Sequence, residues 1–142
     1  MIVVLDASVI LKWLLVDAAR EPDTESATSI IESIVHGTLE ILQPVHWLVE
    51  VAAVIARLSP RTAMRDVEML ATLQFPTTDG PNVVRRATHL AIETGHHLFD
   101  TLYHAVALEL DDAWFVTADN RYYSKARDYG AIVTLKDWET AS

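Results

Sequence analysis

The chain has 142 residues, with 20 acidic and 11 basic side chains and a formal net charge of -9. A chain of this length buries a substantial core, so we expect residues 1–142 to form a single domain. The absence of cysteine excludes disulfides, thiolate metal sites and cysteine nucleophiles, and it favours a cytoplasmic protein. The acidic balance argues against a general nucleic-acid-binding module, yet it leaves open a nuclease that recruits cations.

The N-terminal segment is apolar but lacks a basic start and carries Asp6 and Lys12. It therefore predicts neither a signal peptide nor a membrane span, and we expect no membrane partner. The hydrophobic fraction of 51% is high for a small monomer and indicates a surface that pairs with itself or with a partner.

Hydrophobic periodicity predicts short apolar strands that alternate with amphipathic helices. The predicted strands are residues 2–5, 40–42, 75–77, 113–116 and 131–135. The predicted helices run from residue 7 to 15, 23 or 24 to 36, 45 to 58, 61 to 73, 81 to 95, 99 to 110 and 120 to 129. Ser59 and Pro60 would supply the N-cap and first position of the fourth helix, and Asn120 would cap the last one. Alternating strands and helices predict a parallel α/β sheet covered by helices on both faces.

Four acids lie in unusually apolar sequence surroundings: Asp6, Glu50, Asp100 and Asp119. Each has a plain structural explanation, because Asp6 and Asp119 could cap helices, Asp100 could favour a helix N-terminus, and Glu50 could pair with Arg57. Together they indicate a ligand-binding site, since Asp6 and Asp119 both follow predicted strands at the edge of the sheet where ligands bind.

Carboxylates that converge on one place repel one another, and a divalent cation makes the arrangement favourable. Oxygen ligands without cysteine favour Mg²⁺ or Mn²⁺. Such a centre can polarise a phosphodiester and activate a water molecule for its hydrolysis.

These residues resemble the PIN-domain nucleases, and within them the VapC-type toxins of toxin–antitoxin pairs. The resemblance covers nearly the whole chain. It is carried by LDASVI with Asp6 and Ser8, by the mid-chain Glu50, by FDTLYHAVAL with Asp100, and by VTADNRYYSKA with Asp119.

The resemblance implies a three-layer α/β/α sandwich around a central parallel sheet. It also implies a Mg²⁺- or Mn²⁺-dependent endoribonuclease that forms a homodimer and is inhibited by a cognate antitoxin. The implied metal-binding catalytic residues are Asp6, Glu50, Asp100 and Asp119, with Ser8 and Thr117 as hydroxyls that support them. Asn120 and Arg121 stand where some relatives place a further acid, so the number of metal ions stays open.

Several alternatives stay open at this point. A histidine metal site could use His97, Asp100 and His104, or His46 with Glu50, because these spacings share a helical face. Alternatively, His46 or His104 could tune the carboxylate site from its rim.

Arg121 and Lys125 could contact RNA phosphates, whereas the pair Arg85 and Arg86 is better explained as a solvated helix face. The four tryptophans are better explained as core or interface residues than as base platforms. A noncatalytic PIN-like metal-binding protein and a housekeeping PIN nuclease without an antitoxin are the alternatives to a toxin that hydrolyses RNA with a metal-activated water.

Overall fold

The computed structural model describes residues 1–15 and 23–141. The strands are β1 (Ile2–Leu5), β2 (Glu40–Ile41), β3 (Gln43–Pro44), β4 (Thr77–Thr78), β5 (Ala113–Thr117) and β6 (Ile132–Thr134). The helices are α1 (Ala7–Leu14), α2 (Thr24–Val35), α3 (Trp47–Leu58), α4 (Ala63–Thr72), α5 (Pro81–Thr94), α6 (Leu98–Leu108), α7 (Asn120–Ala126) and α8 (Trp138–Ala141). Short 3-10 turns follow at Arg127–Tyr129 and Leu135–Asp137.

Four parallel strands form the central sheet in the order β2-β1-β5-β6. Leu5 at the end of β1 is in register with Val116 of β5, so both strands end at the same edge. Helix α6 packs against β1 and β5 and pairs with α5, while α1 contacts β5 and packs with α2 and α3. The predicted α/β class, a parallel sheet flanked by helices, is confirmed.

The two central strands are almost entirely apolar because both of their faces are largely buried. Val3, Val4 and Leu5 of β1 have no exposed surface, and Phe115 and Val116 of β5 are equally enclosed. This burial fixes where each strand ends, and the first polar residue after each strand emerges at the sheet edge.

The predicted strand 40–42 is divided in the structure, because the chain leaves the central sheet after Ile41. The backbone of Gln43 pairs with β4 in a separate two-stranded parallel sheet. Its fully buried side-chain amide turns back to β1, where Oε1 accepts from the Leu5 N–H at 2.8 Å and Nε2 donates to the Leu5 carbonyl at 2.9 Å. The Gln43 side chain thus provides the hydrogen bonds to β1 that a continued β2 backbone would have made.

The prediction of Ser59 as an N-cap was wrong. Ser59 instead ends α3, its N–H donating to the Ile55 carbonyl, and a turn closed by the Thr62 N–H on the Ser59 carbonyl precedes α4. Pro60 therefore breaks the helix, but the next one begins only at Ala63.

Other boundaries differ by a few residues. Strand β4 lies at Thr77–Thr78 rather than at 75–77, because the Pro76 carbonyl accepts from the Gln43 N–H and sets the register. Helix α7 is capped by Asp119, not Asn120, and the segment Arg127–Tyr129 tightens into a 3-10 turn. Within the described ranges, none of the helices is long and apolar enough to cross a membrane.

Candidate active site

The central sheet brings acids from distant parts of the chain to one edge. Asp6 directly follows β1, and its N–H donates to the Val116 carbonyl of β5 at 3.0 Å. Asp119 follows β5 by one residue, and Asp100 lies in the first turn of α6. These three acids line one small cavity together with Phe115, Thr117 and Tyr122.

Hydroxyl groups hold the Asp6 carboxylate from one side. Its Oδ2 accepts from the Ser8 hydroxyl at 2.5 Å, from the Thr117 hydroxyl at 3.3 Å and from the Ser8 N–H at 3.4 Å. The last of these bonds also caps α1, so the capping interpretation of Asp6 is correct alongside any chemical role. All three donors lie on Oδ2, which leaves Oδ1 directed away from this network.

The same two hydroxyls tie β1 to the loop after β5. The Ser8 hydroxyl oxygen accepts from the Ala118 N–H at 3.1 Å, and the Thr117 hydroxyl oxygen accepts from the Asp119 N–H at 3.0 Å. Each hydroxyl therefore accepts a hydrogen bond from a backbone N–H and donates one to the Asp6 carboxylate. This arrangement fixes the geometry between the first and the fourth acid.

Burial and like charges make ionisation of Asp6 unfavourable. Burial, together with the charges of Glu50 and Asp100, raises its pKa from 3.8 to about 7, against the opposing effect of the Ser8 hydrogen bonds. Burial also raises the pKa of Asp100, and the charges of Glu50 and Asp119 add to that effect. His96 and His97 act on the pKa of Asp100 in the opposite direction. The acids are electrostatically coupled.

Asp119 also has a structural function, because its Oδ1 accepts from the Tyr122 N–H at 3.0 Å and caps α7.

Glu50 joins this set from α3. The predicted alternative, an ion pair with Arg57, was wrong: Oε1 accepts from the Tyr103 hydroxyl at 3.2 Å, and Oε2 lies 3.4 Å from His46 Nε2. Its charge raises the pKa of both Asp6 and Asp100, although Glu50 does not line the cavity that the other three acids share. Tyr103 was not predicted to belong to the site. The one sequence feature that indicates it is its position three residues after Asp100.

A comparison with protein families matches the PIN domain over residues 3–128. The chain belongs to the PIN domain family. Members of this family are in general nucleases that use divalent metal ions. A search of curated proteins finds no match for the chain.

The donor chemistry of this PIN domain fits a hard divalent cation. All four acids present carboxylate oxygens, which Mg²⁺ and Mn²⁺ prefer, and their mutual repulsion is relieved by positive charge. In the part of the chain that the structure describes, no group of three or more histidine or acidic side chains is already gathered closely enough to hold a metal ion. Asp6, Asp100 and Asp119 line one side of a small cavity rather than forming a closed cage.

The histidines of the alternative metal site do not meet. His97 caps α6, with its Nδ1 accepting from the Phe99 N–H at 3.1 Å. His104 is fully buried, 2.9 Å from the Tyr122 hydroxyl through Nδ1 and 2.7 Å from the Gly130 carbonyl through Nε2. Because a carbonyl only accepts, Nε2 carries the proton and Nδ1 accepts from the tyrosine. His104 is a core residue of the PIN domain.

Burial lowers the pKa of His104, so acid should destabilise the fold through this residue. Below about pH 6.5 His104 binds a proton more readily in the unfolded chain than in the folded chain. The free energy of unfolding therefore falls as pH falls. We expect wild type to lose about 1 kcal/mol more than His104→Gln between pH 7.5 and 5.5. Urea unfolding of both proteins at the two pH values measures this difference, and equal losses would contradict the assignment.

The predicted phosphate contacts lie on the surface of α7. Arg121 and Lys125 are exposed, and across residues 1–15 and 23–141 neither forms an ion pair with a carboxylate. Arg86 instead pairs with Glu109 at 2.6 Å, and Arg85 donates to the Asn82 side chain. The solvated-face interpretation of the arginine pair therefore agrees with the structure, whereas Arg121 and Lys125 are available.

The tryptophans contribute to the core of the PIN domain rather than to the cavity between the acids. Trp47 and Trp138 are buried, and Trp13 and Trp114 pack partly buried against the core. The interpretation of the four tryptophans as core residues therefore agrees with the structure.

Proposed function

We propose that this PIN domain, as a single domain over residues 1–142, is a Mg²⁺- or Mn²⁺-dependent endoribonuclease that hydrolyses RNA phosphodiester bonds. The observation that carries the proposal is that the fold brings Asp6, Asp100 and Asp119 to one cavity, with Glu50 near enough for its charge to raise the pKa of Asp6 and Asp100. These acids come from four separate elements, and the burial of Asp6 makes its charge costly unless a cation is present. Asp6 and Asp119 cap helices, but capping does not require four acids to lie near one another, so a chemical role explains the cluster better.

Each residue has a distinct part in the proposed mechanism. Asp6, Glu50, Asp100 and Asp119 would hold the metal, directly or through water. When bound, a divalent cation supplies Lewis-acid activation of water and neutralises charge at the phosphate. Ser8 and Thr117 orient Asp6 by donating to Oδ2, which leaves its other oxygen for ligation. The tie from Thr117 to the Asp119 N–H keeps the fourth acid in register with the first.

The substrate would be held by charge outside the cluster. Arg121 and Lys125 lie one helical turn apart on α7, which begins directly after Asp119. Unpaired cations in this position suit the phosphates that flank a scissile bond. They also offset the repulsion that the acidic chain exerts on a polyanion.

The same proposal includes a biological role as a cytoplasmic toxin that is restrained by a cognate antitoxin and acts as a homodimer. Two surfaces support protein partners. Val45, just before α3, and Val49 in its first turn are exposed four residues apart. Separately, an apolar groove of about 620 Å³ lies beside β2 between the ends of α2 and α4. Exposed apolar surfaces of this kind are typical of protein interfaces.

The test is cleavage of a pool of structured RNAs by purified protein with Mg²⁺ or Mn²⁺, and with a chelator. We expect metal-dependent cutting that the chelator abolishes. Metal binding without cutting, in protein free of a copurified partner, would favour the noncatalytic PIN-like protein instead. Growth arrest on expression, relieved by a neighbouring gene, separates a toxin from a housekeeping nuclease.

Metal affinity should depend on pH through Asp6. The cation binds the ionised carboxylate, and the pKa of Asp6 near 7 means that a proton competes with it in the neutral range. Apparent Mn²⁺ affinity should therefore fall about tenfold per pH unit below pH 7 and level off above pH 8. Titration calorimetry at pH 6, 7 and 8 measures this dependence, and a flat profile would separate Asp6 from the metal.

A further inference from the structure

Glu50 differs from the other three acids because it does not line the small cavity that they share. Asp6 and Asp119 follow β1 and β5, and Asp100 lies on α6, three elements that pack against one another, whereas Glu50 projects from the first turn of α3. Its side chain keeps 21% of its surface exposed. A flexible carboxylate repelled by Asp6 and Asp100 gains by swinging into water, so something must hold it.

Two side chains contact the Glu50 carboxylate, one at each oxygen. Tyr103 is fully buried, stacks on Phe115 and donates its hydroxyl proton to Oε1. Burial and the neighbouring negative charge of Glu50 raise the pKa of Tyr103, so its hydroxyl stays a donor throughout the accessible pH range. This contact ties α3 to the core of the molecule through α6.

His46 contacts the other oxygen from the position before α3. Its Nε2 lies 2.9 Å from the Phe99 carbonyl and 3.4 Å from Glu50 Oε2. Because a carbonyl only accepts, Nε2 carries a proton and presents it between the two oxygens. The imidazole is fixed further by ring contacts of 5.0 Å with Phe99 and with Tyr103.

The residues that fix Glu50 also flank the third acid. Phe99 immediately precedes Asp100, and Tyr103 follows it by three residues on the same helix. The contacts that hold Glu50 against α6 therefore also set the position of its carboxylate relative to Asp100.

We propose that His46 and Tyr103 are positioning residues that together hold the Glu50 carboxylate in place beside Asp6 and Asp100. The inference rests on the proposed function for its consequence, which is a metal site whose fourth carboxylate is preorganised. Residues that hold metal ligands typically change metal affinity by about 10- to 100-fold when removed.

The chain contains a second arrangement with the same chemistry. On α5, Glu93 accepts from the Tyr129 hydroxyl at 3.4 Å, and His89, four residues earlier, lies 3.8 Å from it. Both side chains of this histidine–glutamate pair are at least half exposed, and no site acid belongs to it. It provides matched controls in which the same bonds are removed away from the site.

The experiment compares Tyr103→Phe and His46→Ala with Tyr129→Phe and His89→Ala. Titration calorimetry with Mn²⁺ alone should show at least about tenfold weaker binding for the first pair and unchanged binding for the controls. His46→Gln, which returns a donor near the Nε2 position, should recover most of the affinity. The melting temperature of every variant is measured as well. If His46 and Tyr103 had a purely structural role, their removal would lower the melting temperature and leave the Mn²⁺ affinity of the folded protein unchanged.

A second readout needs no metal. NMR relaxation of the Glu50 methylene groups in metal-free protein should show a more mobile side chain in Tyr103→Phe and His46→Ala than in wild type. Unchanged Glu50 mobility together with unchanged Mn²⁺ affinity would overturn the positioning role. If wild type binds no Mn²⁺ while Glu50 becomes mobile in the variants, the proposed function fails and the positioning role stands.

Discussion

Asp6→Asn should abolish RNA cleavage and raise the melting temperature at the same time. Loss of the carboxylate removes a ligand and the charge that attracts the cation, so we expect a decrease on the order of 10² to 10³-fold in the cleavage rate. The stability effect has the opposite sign. The pKa of Asp6 is raised to about 7 in the folded chain, so the contribution of this residue to stability is fully present below about pH 4 and is lost as pH rises to 7.

At pH 8 this loss is on the order of 4 kcal/mol. The Asn side chain carries no charge and so avoids this loss, but it keeps only part of the hydrogen bonding from Ser8 and Thr117. The free energy of unfolding should therefore rise by about 1 to 2 kcal/mol, and the melting temperature by about 5 °C.

The measurement pairs a cleavage assay with a thermal melt in chelator, at pH 5 and pH 8. Asp6→Asn should stabilise the protein more at pH 8 than at pH 5, because the folded wild-type carboxyl is still protonated at pH 5 and only part of the loss has occurred there. Asp128→Asn is the control, since this side chain is 97% exposed and lies outside the site. If Asp6→Asn fails to fold while metal affinity in the residual folded protein is unchanged, Asp6 is only the cap of α1.

Gln43→Met should strongly destabilise the fold, although it is a conservative change in volume. Methionine keeps the volume of the side chain but leaves the Leu5 N–H and carbonyl without partners in a fully buried place. Two unpaired backbone groups cost about 3 kcal/mol together, which lowers the melting temperature by about 10 °C. Urea unfolding gives the free energy directly.

Leu70→Met is the matched control, because Leu70 is fully buried and apolar, and a volume-conserving exchange there costs less than about 1.5 kcal/mol. A loss below that level for Gln43→Met would mean that water satisfies the Leu5 backbone. Since Leu5 immediately precedes Asp6, cleavage should also fall in the fraction that stays folded.

The parts of the site that follow from local sequence were predictable. Asp6 and Asp119 end apolar β-branched runs, and a buried strand leaves no other place for its first charged residue than the sheet edge. Asp100 and Glu50 occur within helical patterns whose apolar faces indicate the core, so their elements were also correct. The hydroxyls of Ser8 and Thr117 contact Asp6 as the family resemblance implies.

The parts that depend on packing between distant elements were not predictable. Gln43 bonds to a residue 38 positions away, and Tyr103 reaches a glutamate 53 positions away. Nothing in the local pattern distinguishes a glutamine that completes a sheet from one that faces water. The same reason explains the error at Glu50, where a nearby arginine offered a simpler partner than a tyrosine on another helix.

The pairing of β1 with β5 has a consequence for how the protein is made. Asp6 and the Thr117 hydroxyl that holds it are 111 residues apart, and their strands lie side by side. A nascent chain on the ribosome therefore carries Asp6 and Glu50 long before it has Asp100, Asp119 or the strand that aligns them. Such a chain has no complete set of acids. Under the proposed function, the protein can cleave RNA only after β5 and Asp119 have been synthesised and β5 has paired with β1.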